Sequence, residues 1–285
     1  LLRVSDNEIW LRGGRCWLRA MLSQWSGEER LHANVLTPVL ISGKQGLSKS
    51  TFCRLLMPDS LRHYFIDNLN LAAGSSPEKK LVKNGLINLD EFDKIKESQQ
   101  ATLKNLLQMV NVPVFRGKRL GWVNESRLAS FIATTNVYQV LIDSTGSRRF
   151  LCVEVLKPIS EEPLEHKQIY AQLKEELKSG APDYLNKEEE KALQKHNKAY
   201  YRQSLLEDVF HCCFRHPLET EKGIWLTTAE IFQVMRKFNS AALKEVSARQ
   251  LGLKLSAMGY MAKHTSFGNR YYVFNLSAEK KDASL

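Results

Sequence analysis

The chain has 285 residues, 43% of them hydrophobic and 25% charged, with a formal net charge of +10 at pH 7. That is enough apolar material for one sizeable core and a second, smaller one; no run of about 20 apolar residues exists to span a bilayer, and the positive balance favours polyanionic partners. Five cysteines, an odd number without CxxC spacing, argue against a disulfide framework and a zinc site and fit a reducing cytoplasm.

Leu1 is not a start methionine, and Arg3, Asp6, Glu8 and Arg12 interrupt the opening residues, so no secretory signal is read there and a longer parent protein is expected. Residues 8–33 carry apolar spacing (Ile9, Trp10, Trp17, Leu18, Met21, Trp25) suited to a helix or helix pair with one buried face. "ANVLTPVLISG" changes the period to a short buried strand ending in glycine, and "KSTFCRLLM" is compatible with a helix. "LVKNGLINLDEFD" is a second apolar strand closing on acids, "QQATLKNLLQMV" a helix, and "RLASFIATTN" a third strand closing on polar residues. This alternation predicts an α/β sheet with crossover helices. Beyond about residue 157, "KQIYAQLKEELKSG" and "NKEEEKALQKHNKAYYRQ" read as charge-laced helices leading to a linker. From Leu205 a new pattern follows: three helices, a short "GIWL" strand, and two strands around a Ser-Phe-Gly-Asn turn, with a frayed tail. His211, Cys212, Cys213 and His216 fall in an apolar helical pattern, and buried thiols are the simpler reading than a metal site.

The chemistry concentrates at strand ends. Residues 43–51, Gly43, Lys44, Gln45, Gly46, Leu47, Ser48, Lys49, Ser50 and Thr51, follow GxxxxGK[ST] except that Ser48 replaces the second glycine. In that pattern backbone N–H groups cradle phosphates, the lysine reaches β and γ oxygens, and the hydroxyl binds Mg²⁺. A serine forced into a glycine-only backbone angle is strained by about 1–3 kcal/mol, and the alternative is an ordinary turn with a helix cap at Ser48 or Ser50. Asp90 and Glu91 end the second strand, where an aspartate can hold Mg²⁺ and a glutamate can deprotonate an attacking water; a solvated helix start is the plainer use of such a pair. Asn136 ends the third strand, placed to position the water or sense the γ-phosphate. Arg148 and Arg149 sit beside a turn, where a loop-borne arginine can reach a neighbouring subunit's γ-phosphate. Arg116, Lys118, Arg119 and Arg127 add positive charge between the second and third strands.

In this order, GKQGxxKST, hydrophobic-DEFD, FRGKR, FIATTN and D-x-TGSRRF resemble the virulence-associated protein E-like ATPases of phages and mobile elements. Those proteins are similar to superfamily 3 helicases, AAA+ type ring ATPases often fused to primases. The resemblance, over roughly residues 30–200, implies an ATP and Mg²⁺ site with Lys49 and Ser50 on triphosphate and metal, and Asp90 and Glu91 as the acidic strand end. It further implies Asn136 as sensor, Arg148 or Arg149 as finger, assembly into a ring, and a primase upstream. Ser48 departs from the pattern and bears on turnover more than on fold. The expected organisation is a P-loop ATPase domain over 1–160, a helical extension and linker over 161–204, a winged-helix-like domain over 205–278, and a flexible tail over 279–285. In the winged-helix reading "SARQLGLKLSAM" enters a groove of DNA, with Arg249, Lys254, Lys263 and Arg270 as contacts; a protein-binding module is the alternative. The leading reading is a cytoplasmic ATP-driven motor or replication initiator acting on DNA. The others are a degenerate nucleotide-sensing scaffold and a DNA-binding regulator.

Overall fold

Asp6 opens the first helix: its carboxylate accepts a hydrogen bond from Ile9 N at 3.0 Å, satisfying one of the donors a helix start leaves unpaired. The computed structural model describes residues 2–27, 30–72, 74–142, 144–202, 205–218, 220–244, 246–266 and 268–276. The expected tail 279–285 and Phe267 of the expected turn lie outside the described residues. The chain divides into two compact units, Leu1–Tyr201 and Arg202–Leu285.

In the first unit the elements run α1 (Asn7–Trp25), β1 (Thr37–Ile41), α2 (Lys49–Leu55), β2 (Phe65–Asp67), α3 (Glu78–Leu81), β3 (Leu86–Leu89), α4 (Glu97–Gln108), β4 (Asn111–Phe115), β5 (Trp122–Ser126), β6 (Ser130–Thr135), β7 (Phe150–Glu154), α5 (His166–Lys178) and α6 (Lys187–His196). The fold is mixed α/β around a parallel sheet in the order β2-β3-β6-β1-β7. β1, β3 and β6 are buried along their whole length, as strands covered on both faces are. Alternation along β1 sends Val39 and Ile41 into one core with Leu103, Leu107 and Phe131, and Leu40 into another with Trp17, Met21 and Phe52. One helix, not a pair, spans the N-terminal apolar pattern. Its polar side binds the charge-laced helices: Arg19 pairs with Glu176 at 3.0 Å, Arg12 with Glu189 at 2.7 Å, and Arg15 with Glu176 as well. α5 and α6 therefore belong to the first unit.

Arg127, counted above with the positive charge between the second and third strands, is buried and not displayed. It is 2% exposed, and its guanidinium donates to the carbonyls of Ala129 (2.6 Å), Leu107 (2.8 Å), Leu106 (3.0 Å) and Asn34 (3.1 Å). Burial lowers its pKa to about 9. The side chain is a strut tying the end of α4 and the approach to β1 to the start of β6. Arg127→Ala leaves those carbonyls without their donor and is expected to destabilise the chain by about 2–3 kcal/mol, measured as a lowered urea midpoint with unchanged slope.

In the second unit the order is α7 (Leu205–Cys213), β8 (Phe214–Arg215), β9 (Ile224–Thr227), α8 (Thr228–Phe238), α9 (Ala248–Ala257), β10 (Ala262–Thr265) and β11 (Gly268–Asn275). β11 pairs antiparallel with β10, β9 and β8. Thr227 with Glu230, and Ser247 with Gln250, form capping boxes that fix where α8 and α9 begin. Phe210, Phe214, Ile231, Met235, Leu251 and Tyr271 make a separate core. Cys213 is buried in it, whereas Cys212, expected to be buried, is exposed. Among the described residues no helix is long and apolar enough to cross a membrane, and no group of three His, Cys, Asp or Glu could hold a metal ion.

Candidate nucleotide-binding site

A parallel sheet gathers the C-terminal ends of its strands along one edge, and the polar residues that close those strands are brought together there. Because β6 lies between β1 and β3, the ends of these three strands bring Lys49, Asp90 and Asn136 to one place. The loop from β1 to α2 starts at Ser42, whose N–H donates to Thr135 O at 3.2 Å and so ties the loop to the end of β6. Gly43 lies close to Tyr138: a Cβ there would meet the ring at 2.9 Å, so that exposed side chain would have to shift. Gly46 (φ +76°) and Ser48 (φ +57°, ψ +29°) both take the left-handed conformation.

Ser48 thus occupies the backbone angle that favours glycine, at a cost of about 1–2 kcal/mol. Its side chain makes no cap bond to the helix and instead donates to Glu161 Oε1 at 2.6 Å. Ile159 N donates to Leu47 O at 3.2 Å, so the segment after β7 straps the loop at two points. The left-handed turn is formed with serine present.

Lys49 is 8% exposed. Its Nζ donates to Ser42 Oγ and, at 2.9 Å, to Asn136 Oδ1, both neutral acceptors, and it forms no ion pair among the described residues. Burial pushes its pKa below the usual lysine range, with the Asp90 charge acting in the opposite sense. Asp90 accepts from Ser50 Oγ at 3.2 Å and from Thr134 Oγ1. Glu91 is left-handed (φ +51°, ψ +49°) and bonds Lys94 Nζ at 2.7 Å, with both side chains more than half exposed. Asp93 accepts from Thr135 Oγ1 at 2.6 Å. A buried cation held by neutral oxygens, beside a hydroxyl and carboxylate pair, is suited to an anion accompanied by a hard divalent metal.

Arg148 and Arg149 lie elsewhere. They precede β7, whose first residue Phe150 pairs with Thr37 at the start of β1, so they sit at the opposite edge of the sheet. The five residues of β1 put them about 16 Å from the loop of their own chain. Arg148 is 46% exposed and pairs with Glu190 at 3.1 Å; both arginines line a cleft of about 330 Å³ with His32, Asp183 and Tyr184.

The basic stretch between the second and third strands forms the β4-β5 hairpin. Phe115 and Trp122 face each other at 5.6 Å, Arg116 pairs with Glu125 at 2.5 Å, and Lys118, Arg119 and Leu120 are exposed at the tip. In the second unit Arg249 is exposed on α9, and Lys263 and Arg270 are register partners on β10 and β11. Lys254 instead bonds Glu207 on α7 at 2.7 Å, so that charge is spent inside the unit.

The sequence reading passed over Ser42, Thr134 and Glu161. For the first two a signal existed: polar residues closing the strands "LIS" and "IATT", next to residues already singled out.

The solved structures similar to this chain include the apo structure of the NrS-1 C terminal region (305-718), at 12% identity and a TM-score of 0.44, covering 94% of this chain and 72% of that one. Two A form apo structures of the same region match at 15% and 16% identity, with TM-scores of 0.41 and 0.38; each covers 93% of this chain and 71% of the other. No curated protein matches the sequence closely enough to count as a relative. Residues 203–273 match the model of DUF3874, a domain of unknown function. Residues 4–202 match the model of the virulence-associated protein E-like domain, and with most of its length so matched the chain belongs to that family.

Proposed function

We propose that the chain is a P-loop ATPase of the AAA+, superfamily 3 helicase-like kind, working on DNA in the replication of a phage or mobile element, with a winged-helix-like C-terminal domain. The observation that carries this reading is the convergence of Lys49, Ser50, Asp90 and Asn136 at one edge of the sheet, from three separate stretches of sequence. Family membership over residues 4–202 supports the replication-related setting.

The residues fit Mg²⁺-ATP. Ser50 Oγ and Asp90 Oδ1, 3.2 Å apart, are hard oxygen donors of the kind Mg²⁺ takes, and Lys49 supplies a buried cation not neutralised by any carboxylate bonded to it. Bound ATP supplies the phosphoanhydride whose hydrolysis drives the work. Lys49 Nζ and the N–H groups of residues 43–49 hold the triphosphate; Ser50 and Asp90 hold the metal; Thr134 fixes the Asp90 carboxylate by its hydrogen bond. Glu91 takes the proton of the attacking water on its carboxylate, and Asn136 orients that water. Arg148 stabilises charge at the site of a neighbouring subunit, which makes a ring the working form. The exposed Lys118 and Arg119 at the hairpin tip carry phosphate-directed contacts to DNA.

Calorimetry with Mg²⁺-ATP tests the reading directly. The wild-type chain is expected to bind, and Lys49→Ala to lose about 10- to 100-fold in affinity, the worth of one charge-assisted contact. Equal affinity in the two proteins, or no binding by either, removes the nucleotide site.

A further inference from the structure

The second unit presents a sheet face whose aromatic side chains nothing so far has used. Tyr271 and Val273 on β11 are 1% and 0% exposed and point into the helical core. Strand alternation sends Arg270, Tyr272 and Phe274 to the other side, where all three are partly exposed. The register places Trp225 of β9 beside Tyr272, and Lys263 of β10 beside Arg270; Tyr272 N also donates to Met261 O at 2.9 Å. The outer face is thus rows of aromatic and cationic side chains along about 14 Å of β11.

We propose that this face binds single-stranded nucleic acid by stacking unpaired bases on Trp225 and Tyr272, with Lys263 and Arg270 on the phosphates. The aromatic pair is already arranged for it. The two rings lie 5.1 Å apart, and Gly223 N donates to the Tyr272 hydroxyl at 2.9 Å, fixing the ring's orientation. Gly223 must be glycine for this, since a Cβ would meet the Tyr272 ring at 2.9 Å. Trp225 is 38% and Met261 63% exposed, a wide apolar surface for a unit with a full core of its own.

Charge selects the occupant. Lys263 and Arg270 form no ion pair among the described residues. Glu230, whose pKa is lowered first by its bond from Thr227 N and to a lesser degree by Arg270, is committed to capping α8. Arg215 is bound by Glu221 and lies 4.1 Å over the Phe274 ring, closing one end of the face. Cations interleaved with partly exposed aromatic rings suit a strand with free base faces; a duplex hides those faces in its own stack. This site differs from the groove contact expected of α9, and it does not depend on the ATPase reading.

The test uses the full chain without nucleotide or Mg²⁺, and a single-stranded oligothymidylate carrying 5-iododeoxyuridine, photocrosslinked and mapped by peptide mass spectrometry. Adducts are expected on the peptides holding Trp225 or Tyr272. Their yield is expected to fall at least about fivefold in Trp225→Ala, to persist in Trp225→Phe, and to resist competition by a duplex of the same sequence. Adducts confined to α9 or the β4-β5 hairpin, an unchanged yield in Trp225→Ala, or stronger competition by duplex each overturn the proposal. So does the absence of any adduct, which leaves the face to a protein partner. Because no ATP is present, these outcomes stand apart from those of the nucleotide-binding test.

Discussion

Arg148→Ala is expected to lower ATP turnover by about three orders of magnitude while Mg²⁺-ATP binding to the isolated chain stays unchanged. The distance carries this. With the arginine at the start of β7 and the 43–51 loop at the end of β1, about 16 Å of sheet separates them within one chain. An arginine that acts at such a site does so on a neighbour's. Its pairing with Glu190, both side chains more than a third exposed, is a surface contact worth about 1 kcal/mol at most, so little opposes its release. Mixing supplies the second measurement. Lys49→Ala chains retain Arg148, and Arg148→Ala chains retain the loop, so a mixed assembly contains interfaces with both elements intact. Recovery of turnover on mixing two inactive proteins is the expected result. Full activity in Arg148→Ala alone removes its role, and failure to recover on mixing removes the trans geometry.

The strands that build the site were legible because a parallel strand buried on both faces is a continuous apolar run, and β1, β3 and β6 each end it abruptly at polar residues. β7 was hidden because "FLCVE" directly follows Arg148 and Arg149, and the pair drew the reading toward a loop. The β4-β5 hairpin was missed for another reason: β4 alternates buried Val112 and Val114 with exposed neighbours over only five residues, and Pro113 demotes it further. The contacts inside the site depend on strand order, which no local pattern encodes. Thr134 reaches Asp90, and Lys49 reaches Asn136, only because β6 was inserted between β1 and β3. Ser48 stood out at once as a departure, but the partner that holds it, Glu161, is 113 residues along the chain. Charge misled where it was counted without burial, since Arg127 is enclosed by carbonyls and Lys254 is held by Glu207.

Glu91→Gln is expected to reduce steady-state phosphate release by about 10²- to 10⁴-fold and to leave ATP bound and uncleaved. The amide keeps the size and polarity of the carboxylate but cannot accept the proton of the attacking water. Backbone position is not at stake, because glutamine fits the left-handed angle at residue 91 no worse than glutamate does. The ion pair of Lys94, which donates to the Glu91 carboxylate, is also lost, but both side chains are more than half exposed, so it contributes about 1 kcal/mol or less to holding the turn. That same bond, with Ser48, supports the rival reading. In this arrangement the carboxylate is engaged with Lys94, as expected of a chain that senses nucleotide without cleaving it. Phosphate release and retained radiolabelled ATP, measured with single-stranded DNA present, separate the two. A wild-type chain that turns over and a Glu91→Gln chain that traps ATP make Glu91 the base, with Lys94 its resting partner. Equal turnover in both removes Glu91 from the chemistry. Binding without turnover in the wild type, even in assemblies that bring Arg148 to a neighbour's loop, makes the Lys94 contact the permanent state and the chain a nucleotide sensor.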